Sequence, residues 1–205
     1  MTAVEKITPA DWMGAADTRA LFDAITAGGG SVRFVGGCVR DAILGRPVSD
    51  IDLATDVEPA RVIELLGARK IRAVPTGLDH GTITAIPEHR PFEITTLRQD
   101  VETDGRRAAV QFTHDWSVDA RRRDFTMNAL SADPDGTVYD YVGGLPDLRA
   151  GRVRFIGDAA ERIAEDYLRI LRFFRFHANY ASTVPDGEAL QACRDAATHV
   201  EKLSG

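Results

Sequence analysis

"VGGCVRDAILGRPVSDIDLAT", residues 35–55, decides how this chain is read. Two glycines follow an apolar run, an Arg-Asp pair follows the glycines, and an Asp-Ile-Asp triplet closes the stretch. Residues two apart in a β-strand share a face and stand about 6.6–6.8 Å apart along it. A strand over "DIDLAT" therefore turns Asp50 and Asp52 the same way and sends Ile51 and Leu53 into the core. Two carboxylates side by side repel, and apolar neighbours sharpen the repulsion. Either both face water, or a cation holds them. Paired carboxylates on a rigid strand suit a hard ion with oxygen ligands, above all Mg²⁺. An Asp-x-Asp alone is a weak signal, and more often marks a solvated strand end.

The preceding glycines add weight to the cation. Gly36 and Gly37 stand where a strand turns into a helix. Glycine lets backbone N–H groups approach an anion, and a helix start contributes a favourable dipole. Arg40 falls in the first turn, within reach of a phosphate, and Asp41 is placed to lock it. The spacing matches neither the Walker A pattern nor GxGxxG, so this would be a different triphosphate cradle. Cys38 reads as a small buried residue rather than a reactive thiol.

The whole chain sets wider bounds. Its 205 residues, 44% of them hydrophobic, suffice for one globular domain or one domain plus part of another. No apolar run is long enough to span a bilayer. "MTAVEKITPADW" has neither a basic start nor an apolar stretch, so no signal peptide is expected. Cys38 and Cys193 follow no metal or redox spacing, which predicts no disulfide and a reducing, cytoplasmic setting. A formal net charge of -6 argues against a general coat for nucleic acid but leaves room for a local basic site. Lysine occurs only at positions 6, 70 and 202, so nearly every cation is an arginine. The arginine fork suits phosphates and base edges; a coding bias toward arginine accounts equally well for surface positions.

Along the chain, residues 17–27 predict an amphipathic helix with Leu21, Ala24 and Ile25 inward, stopped by "GGG" at 28–30. "SVRFVGG" reads as a strand, "VRDAILG" as a short helix, and "EPARVIELLG" as a helix with Pro59 at its start. "IRAV", "GTITAI" and "FEITTL" read as strands. Residues 98–115 read as a polar loop ending in a short strand. "RRRDFTMNAL" opens a helix or tight turn, and "DPDG" turns the chain before "TVYDYV". From Asp158 the texture is helical, which puts a domain boundary near residue 153: a head over 1–153 and a helical neck over 154–205. On a continuous helical wheel, "EDYLRILRFFRF" gathers Ile163, Tyr167, Ile170, Leu171 and Phe174 on one face. Arg169, Arg172 and Arg175 fall opposite, with Asp166 beside Arg169 and Leu168, Phe173 and Phe176 among them. Such arginines commonly form a solvated face; apolar residues all round suggest instead a helix buried about a charged site.

These stretches together carry a family resemblance. "GGCVRDAILGRPVSDIDLAT" resembles motif A of the class II nucleotidyltransferases, the CCA-adding enzymes of tRNA and the related bacterial poly(A) polymerases. "RRRDFTMNAL" resembles motif B, and "GGLPDLRAGRVRFIGDAAERIAEDYLRILRFFRF" resembles motifs C and D in succession. The likeness covers roughly residues 30–180, with four motifs in family order. It implies an α+β fold: a polymerase-β-like nucleotidyltransferase head with a mixed sheet flanked by helices, then an incomplete all-helical neck. It implies Asp50 and Asp52 as the catalytic, metal-binding carboxylates, with Mg²⁺ as cofactor. Gly37 and Arg40 would contact the triphosphate, and Arg123 and Asp124 the sugar and phosphates, Asp124 or a neighbour reading the 2′-OH. Asp166 and Arg169 would serve as an amino-acid template that pairs with the base of CTP or ATP. Arg172 and Arg175 would hold phosphate or orient that pair.

The resemblance implies addition of CCA, or its terminal A, to the tRNA 3′ end, with pyrophosphate released. Poly(A) polymerase activity is the alternative, but no basic stretch of the kind those enzymes carry follows motif A. "DVETDGRRAAVQF" is present in full, whereas enzymes adding only C tend to have it shortened. A small-molecule nucleotidyltransferase would not need "EDYLRILR" and "RRDFTMNAL" together, and a non-catalytic RNA-binding module would be expected to lose Asp50 or Asp52. Family members are about twice this length, so tRNA binding is expected to need domains absent here; no membrane partner is expected. Glu93 is a possible third carboxylate or a plain strand residue, and His80 reads as a turn histidine.

Overall fold

Hydrophobic periodicity lays out the chain much as its sequence predicts. In the computed structural model, which describes residues 3–88, 90–101 and 109–202, the chain begins with β1 (Glu5–Lys6), α1 (Ala16–Thr26), β2 (Val32–Val35), α2 (Gly37–Ile43) and β3 (Asp52–Thr55). Next come α3 (Pro59–Ala68), β4 (Arg72–Gly77), β5 (Thr82–Ile86), β6 (Phe92–Thr96), β7 (Arg98–Val101) and β8 (Ala109–Phe112). The remainder is α4 (Trp116–Arg121), β9 (Ser131–Ala132), β10 (Thr137–Tyr139), α5 (Gly144–Arg149), α6 (Ala159–Glu165), α7 (Leu168–Tyr180) and α8 (Gly187–Asp195). Two compact units result, one of residues 1–122 with 131–139, the other of 123–130 with the chain from 140 onward.

The first unit holds an eight-stranded sheet in the order β1-β10-β9-β2-β3-β6-β5-β4. β3 and β6 run parallel; β2 meets β3, and β5 meets β6, antiparallel. This is a mixed sheet with flanking helices, the α+β arrangement expected. Phe34, Leu53, Ile83 and Ile94 supply its core from four adjacent strands. α1 buries Leu21, Phe22, Ala24 and Ile25, the expected face, and packs against α3, which buries Val62, Leu65 and Leu66. One charge lies within this framework. Arg33 of β2 is buried with its guanidinium 3.6 Å from the Tyr139 ring and 4.4 Å from the Trp116 ring. Asp133 stands 3.4 Å from its Nε, so the cation is both stacked and paired.

Two segments refine the expectation. The polar stretch from residue 98 is not all loop: β7 and β8 pair as a separate antiparallel ribbon, Arg98 opposite Phe112 and Val101 opposite Ala109. A ribbon of mostly polar side chains needs little apolar alternation, so periodicity misses it. The rest of the expected loop, residues 102–108, lies outside the described residues. "RRRDFTMNAL" takes the tight turn, not the helix, of the two forms expected. The helix precedes it as α4, whose cap Asp115 accepts the Ser117 N–H at 2.8 Å. The motif then runs through extended Phe125, bridged to Phe155, into a single 3-10 turn over Thr126–Asn128.

In the second unit the continuous helix expected through "EDYLRILRFFRF" is broken. α6 stops at Glu165, Asp166 is extended at φ -156° and ψ 106°, and α7 restarts with Asp166 Oδ1 accepting the Leu168 N–H at 2.9 Å. The restart changes the phase. Ile170, Phe173 and Phe176 become the buried stripe, while Leu171 and Phe174, inward on a continuous wheel, are 48% and 46% exposed. Phe125 and Phe155 (4.8 Å between centroids), Phe155 and Phe173 (5.7 Å) and Phe125 and Phe176 (5.1 Å) form one aromatic cluster. It ties the "DFTMN" segment to α7.

Candidate active site

Asp52 is the first residue of β3 and Asp50 lies just ahead of it. Burial alternates as a strand requires: Ile51 and Leu53 are buried, Asp52 is half-buried and Asp50 is exposed. The Ser49 hydroxyl donates to Asp50 Oδ2 at 2.9 Å. On parallel β6, Glu93 is in register with Asp52, and the neighbouring register pair is Leu53 with Ile94. Glu93 is exposed while Leu53 and Ile94 are buried, so Asp52 and Glu93 share the polar face. Among the described residues no three His, Cys, Asp or Glu side chains gather closely enough to hold a metal ion. The donors expected here are the carboxylates of Asp50 and Asp52. Such a pair fits a hard, largely hydrated ion that arrives with substrate phosphates, as Mg²⁺ does, rather than an all-protein cage.

The glycine turn is built onto the same strand. Gly36 takes φ 73° and ψ -127°, a conformation that side chains disfavour, and so delivers Gly37 as the first residue of α2. Arg40 is buried and folds back: its Nη2 would stand 3.6 Å from a Cβ on Gly37. Asp41 locks it from both sides, accepting Nε at 2.9 Å and Nη2 at 2.7 Å. Between turn and strand, the Cys38 thiol donates to the Val35 carbonyl at 3.3 Å and contacts the Asp52 carbonyl at 3.7 Å. Burial pushes this thiol up to about 11. His80 sits in a 3-10 turn, Leu78–His80, apart from any cluster of metal-binding side chains among the described residues.

The remaining expected residues lie in the second unit. Asp124 is buried and uses both carboxylate oxygens. Oδ1 accepts the Phe125 N–H at 2.8 Å and Asn128 Nδ2 at 3.1 Å; Oδ2 accepts Arg172 Nε at 2.7 Å. Arg172 is thereby held to the "RRRDFTMNAL" segment. Arg123 is half-buried beside it. Asp166 is exposed at the break between α6 and α7. Arg169 is mostly buried, its side chain 14% exposed, and donates from Nη1 to the Arg162 carbonyl at 2.7 Å and to Glu165. Arg175 departs from this group: it is exposed, 5.7 Å over the Phe176 ring. Asn128, Arg162 and Glu165 were not anticipated. The spacings Arg162–Glu165 (i, i+3) and Glu165–Arg169 (i, i+4) were the available signal.

A profile of the Poly A polymerase head domain matches residues 32–154, which span the glycine turn, both aspartates and "RRRDFTMNAL". The chain belongs to this family. Human CCA tRNA nucleotidyltransferase 1, mitochondrial, is 46% identical over 177 residues, covering 85% of this chain and 41% of that protein. The crystal structure of the Bacillus stearothermophilus CCA-adding enzyme in complex with CTP superposes with a TM-score of 0.81 at 31% identity, over 93% of this chain and 46% of that one. A tRNA nucleotidyltransferase complexed with a primer tRNA and an incoming ATP analog gives 0.71 at 26% identity, over 90% and 52%. The chain thus spans about half the length of the relatives it matches. Class II membership, read from motifs A to D, is established by these likenesses, and with it a fold whose chemistry generally uses a divalent metal. No helix among the described residues is long and apolar enough to cross a membrane.

Proposed function

We propose that this chain is the nucleotide-handling part of a template-independent RNA nucleotidyltransferase that adds CCA, or its terminal A, to the tRNA 3′ end from CTP and ATP. The observation that carries the reading is the coupling of two elements: an aspartate pair at the start of β3, and a glycine turn packed onto that strand through Cys38. That arrangement presents carboxylates and a phosphate-binding turn from one rigid framework, which nucleotidyl transfer requires. Asp50 and Asp52 bind the metal, proposed as Mg²⁺, and Glu93 stands in register to assist from β6. When bound, the ion favours ionisation of the attacking RNA 3′-hydroxyl and offsets charge on the departing pyrophosphate. Gly37 and Arg40 hold the triphosphate, and the Asp41 lock keeps the Arg40 fork from swinging into solvent.

Arg123 and Asp124 serve the sugar end. With both oxygens of Asp124 occupied inside the protein, its support for the ribose runs through Asn128 and Arg172, which it positions. Asp166 and Arg169 read the base, the carboxylate accepting from and the guanidinium donating to its edge. Arg172 orients this pair, while exposed Arg175 is free to meet phosphate. We keep a catalytic head over 1–153 and a base-reading neck over 154–205 as part of this reading; the family match ends at residue 154, whereas the compact units divide at residue 140 and put 123–130 with the second unit. Two buried free cysteines suit a reducing compartment, which we take to be the cytoplasm.

The test is nucleotide incorporation into tRNAs ending at successive points of CCA, each offered one of the four triphosphates. CMP and then AMP are to be added in the order the end demands. Asp52→Ala is to abolish incorporation with little loss of stability, because it relieves a like-charge pair in the metal-free fold. Incorporation by Asp52→Ala near the parent rate would falsify the assignment.

A further inference from the structure

We propose that Arg162 is a positioning residue that sets the orientation of Arg169; its consequence for base choice rests on the reading of Arg169 as a base reader. A guanidinium on a flexible stem carries about 2 kcal/mol of rotamer entropy, so it discriminates a base edge well only if held beforehand. Arg169 is held through one nitrogen. Its Nη1 donates to the Arg162 carbonyl at 2.7 Å and to Glu165 Oε2. Among the described residues, this leaves Nε and Nη2 for a ligand.

Both holding contacts lead back to Arg162. In an unbroken helix its carbonyl would accept the N–H of Asp166, four residues on. α6 stops at Glu165, and in its last turn the Arg162 carbonyl accepts the Arg169 guanidinium. The Arg162 side chain supplies the second contact indirectly: its Nη1 donates to the same Glu165 Oε2 at 3.0 Å. Its Nε donates to the Ile156 carbonyl, also at 3.0 Å.

That last bond closes a circuit. The Ile156 N–H donates to the Asp124 carbonyl at 3.0 Å, and the Asp124 carboxylate accepts Arg172 from α7. The path runs from Asp124 through Ile156, Arg162 and Glu165 to Arg169, then along α7 to Arg172 and back to Asp124. An ordinary exposed helix pair at i, i+4 contributes only about 0.2–0.5 kcal/mol and fixes little. Here the Glu165–Arg169 pair crosses a helix break rather than lying along one helix, and Arg162 and Arg169 are 22% and 14% exposed. The bonds therefore fix the angle at which α7 leaves α6, and with it the direction of the fork.

The test uses the whole chain and the variants Arg162→Met, Arg162→Lys, Arg169→Met and the double Met variant. In ¹⁵N spectra of the guanidinium groups, Arg169, assigned by its loss in Arg169→Met, is to show hindered Nη rotation. Arg162→Met, which keeps the carbonyl contact but loses the bonds to Glu165 and Ile156, is to reduce that hindrance, and Arg162→Lys, which keeps one donor, is to restore part of it. In competition binding with a divalent ion, Arg162→Met is to lower the preference for CTP over GTP by about fivefold or more. It is to lower it no further in the Arg169→Met background. An unchanged Arg169 signal in Arg162→Met overturns the proposal, as does an equal loss of preference with and without Arg169. If Arg169→Met leaves the preference intact, the base-reading assignment fails, while the spectra still decide whether Arg162 orients Arg169. If Arg162→Met does not fold, Arg162→Lys carries both arms: its spectrum and preference must shift part-way, and parent values in both overturn the proposal.

Discussion

Cys38 shows how one side chain serves two functional elements without taking part in chemistry. Its thiol bonds the end of β2, touches β3 at Asp52, and belongs to the first turn of α2. Burial holds it neutral, raised to about 11, and buried Cys193 is raised likewise to about 11 by desolvation. A thiolate, not a thiol, attacks alkylating reagents. Native protein at pH 8 is therefore expected to resist alkylation at both positions and to take two adducts once unfolded, as read by mass spectrometry. Adduct formation on native Cys38 at the pace of an exposed thiol would overturn its role as a packing residue. Asp124 makes the complementary point. Sequence marks it as a ligand-facing acid, yet its carboxylate is consumed inside the protein by Phe125, Asn128 and Arg172.

Among the elements, those with a regular apolar period were the legible ones. α1 and α3 announce their buried faces, because burial on one side forces the pattern; β3 begins only at Asp52, with Asp50 just ahead of it. The break at Asp166 was not legible: neither Gly nor Pro marks it, and a helical wheel assumes continuity. The consequence was a phase error that placed Leu171 and Phe174 inward. The circuit through Arg162 was hidden for the same reason, since it exists only where the helix stops. Close backbone approach was equally silent. A Cβ on Gly144, in α5, would stand 2.1 Å from the Thr126 carbonyl oxygen and 2.8 Å from its carbon. Backbone cannot yield there as a side-chain tip could, so Gly144→Ala is expected to cost about 1–3 kcal/mol by forcing α5 off the Thr126–Asn128 turn. Chemical denaturation would measure it, and a midpoint equal to that of the parent would contradict the packing described.

The molecule as a whole carries a net charge of -6, and within each of its two units several arginines are tied to acids. Arg40, Arg169 and Arg172 are each held by an acid beside them: Asp41, Glu165 and Asp124. Local pairing of this kind lets an acidic protein orient guanidinium forks toward an anion without a basic surface. The account makes metal, triphosphate and base recognition properties of this chain. The most direct measurement is equilibrium binding of CTP, ATP, GTP and UTP with Mg²⁺ and with chelator, to the parent and to the Asp50→Asn, Asp52→Asn double variant. The account predicts that CTP and ATP bind about fivefold or more tightly than GTP and UTP. It also predicts that chelation weakens binding and that the double variant loses the response to Mg²⁺. Equal binding of all four nucleotides, or a Mg²⁺ response that survives loss of both carboxylates, would contradict it.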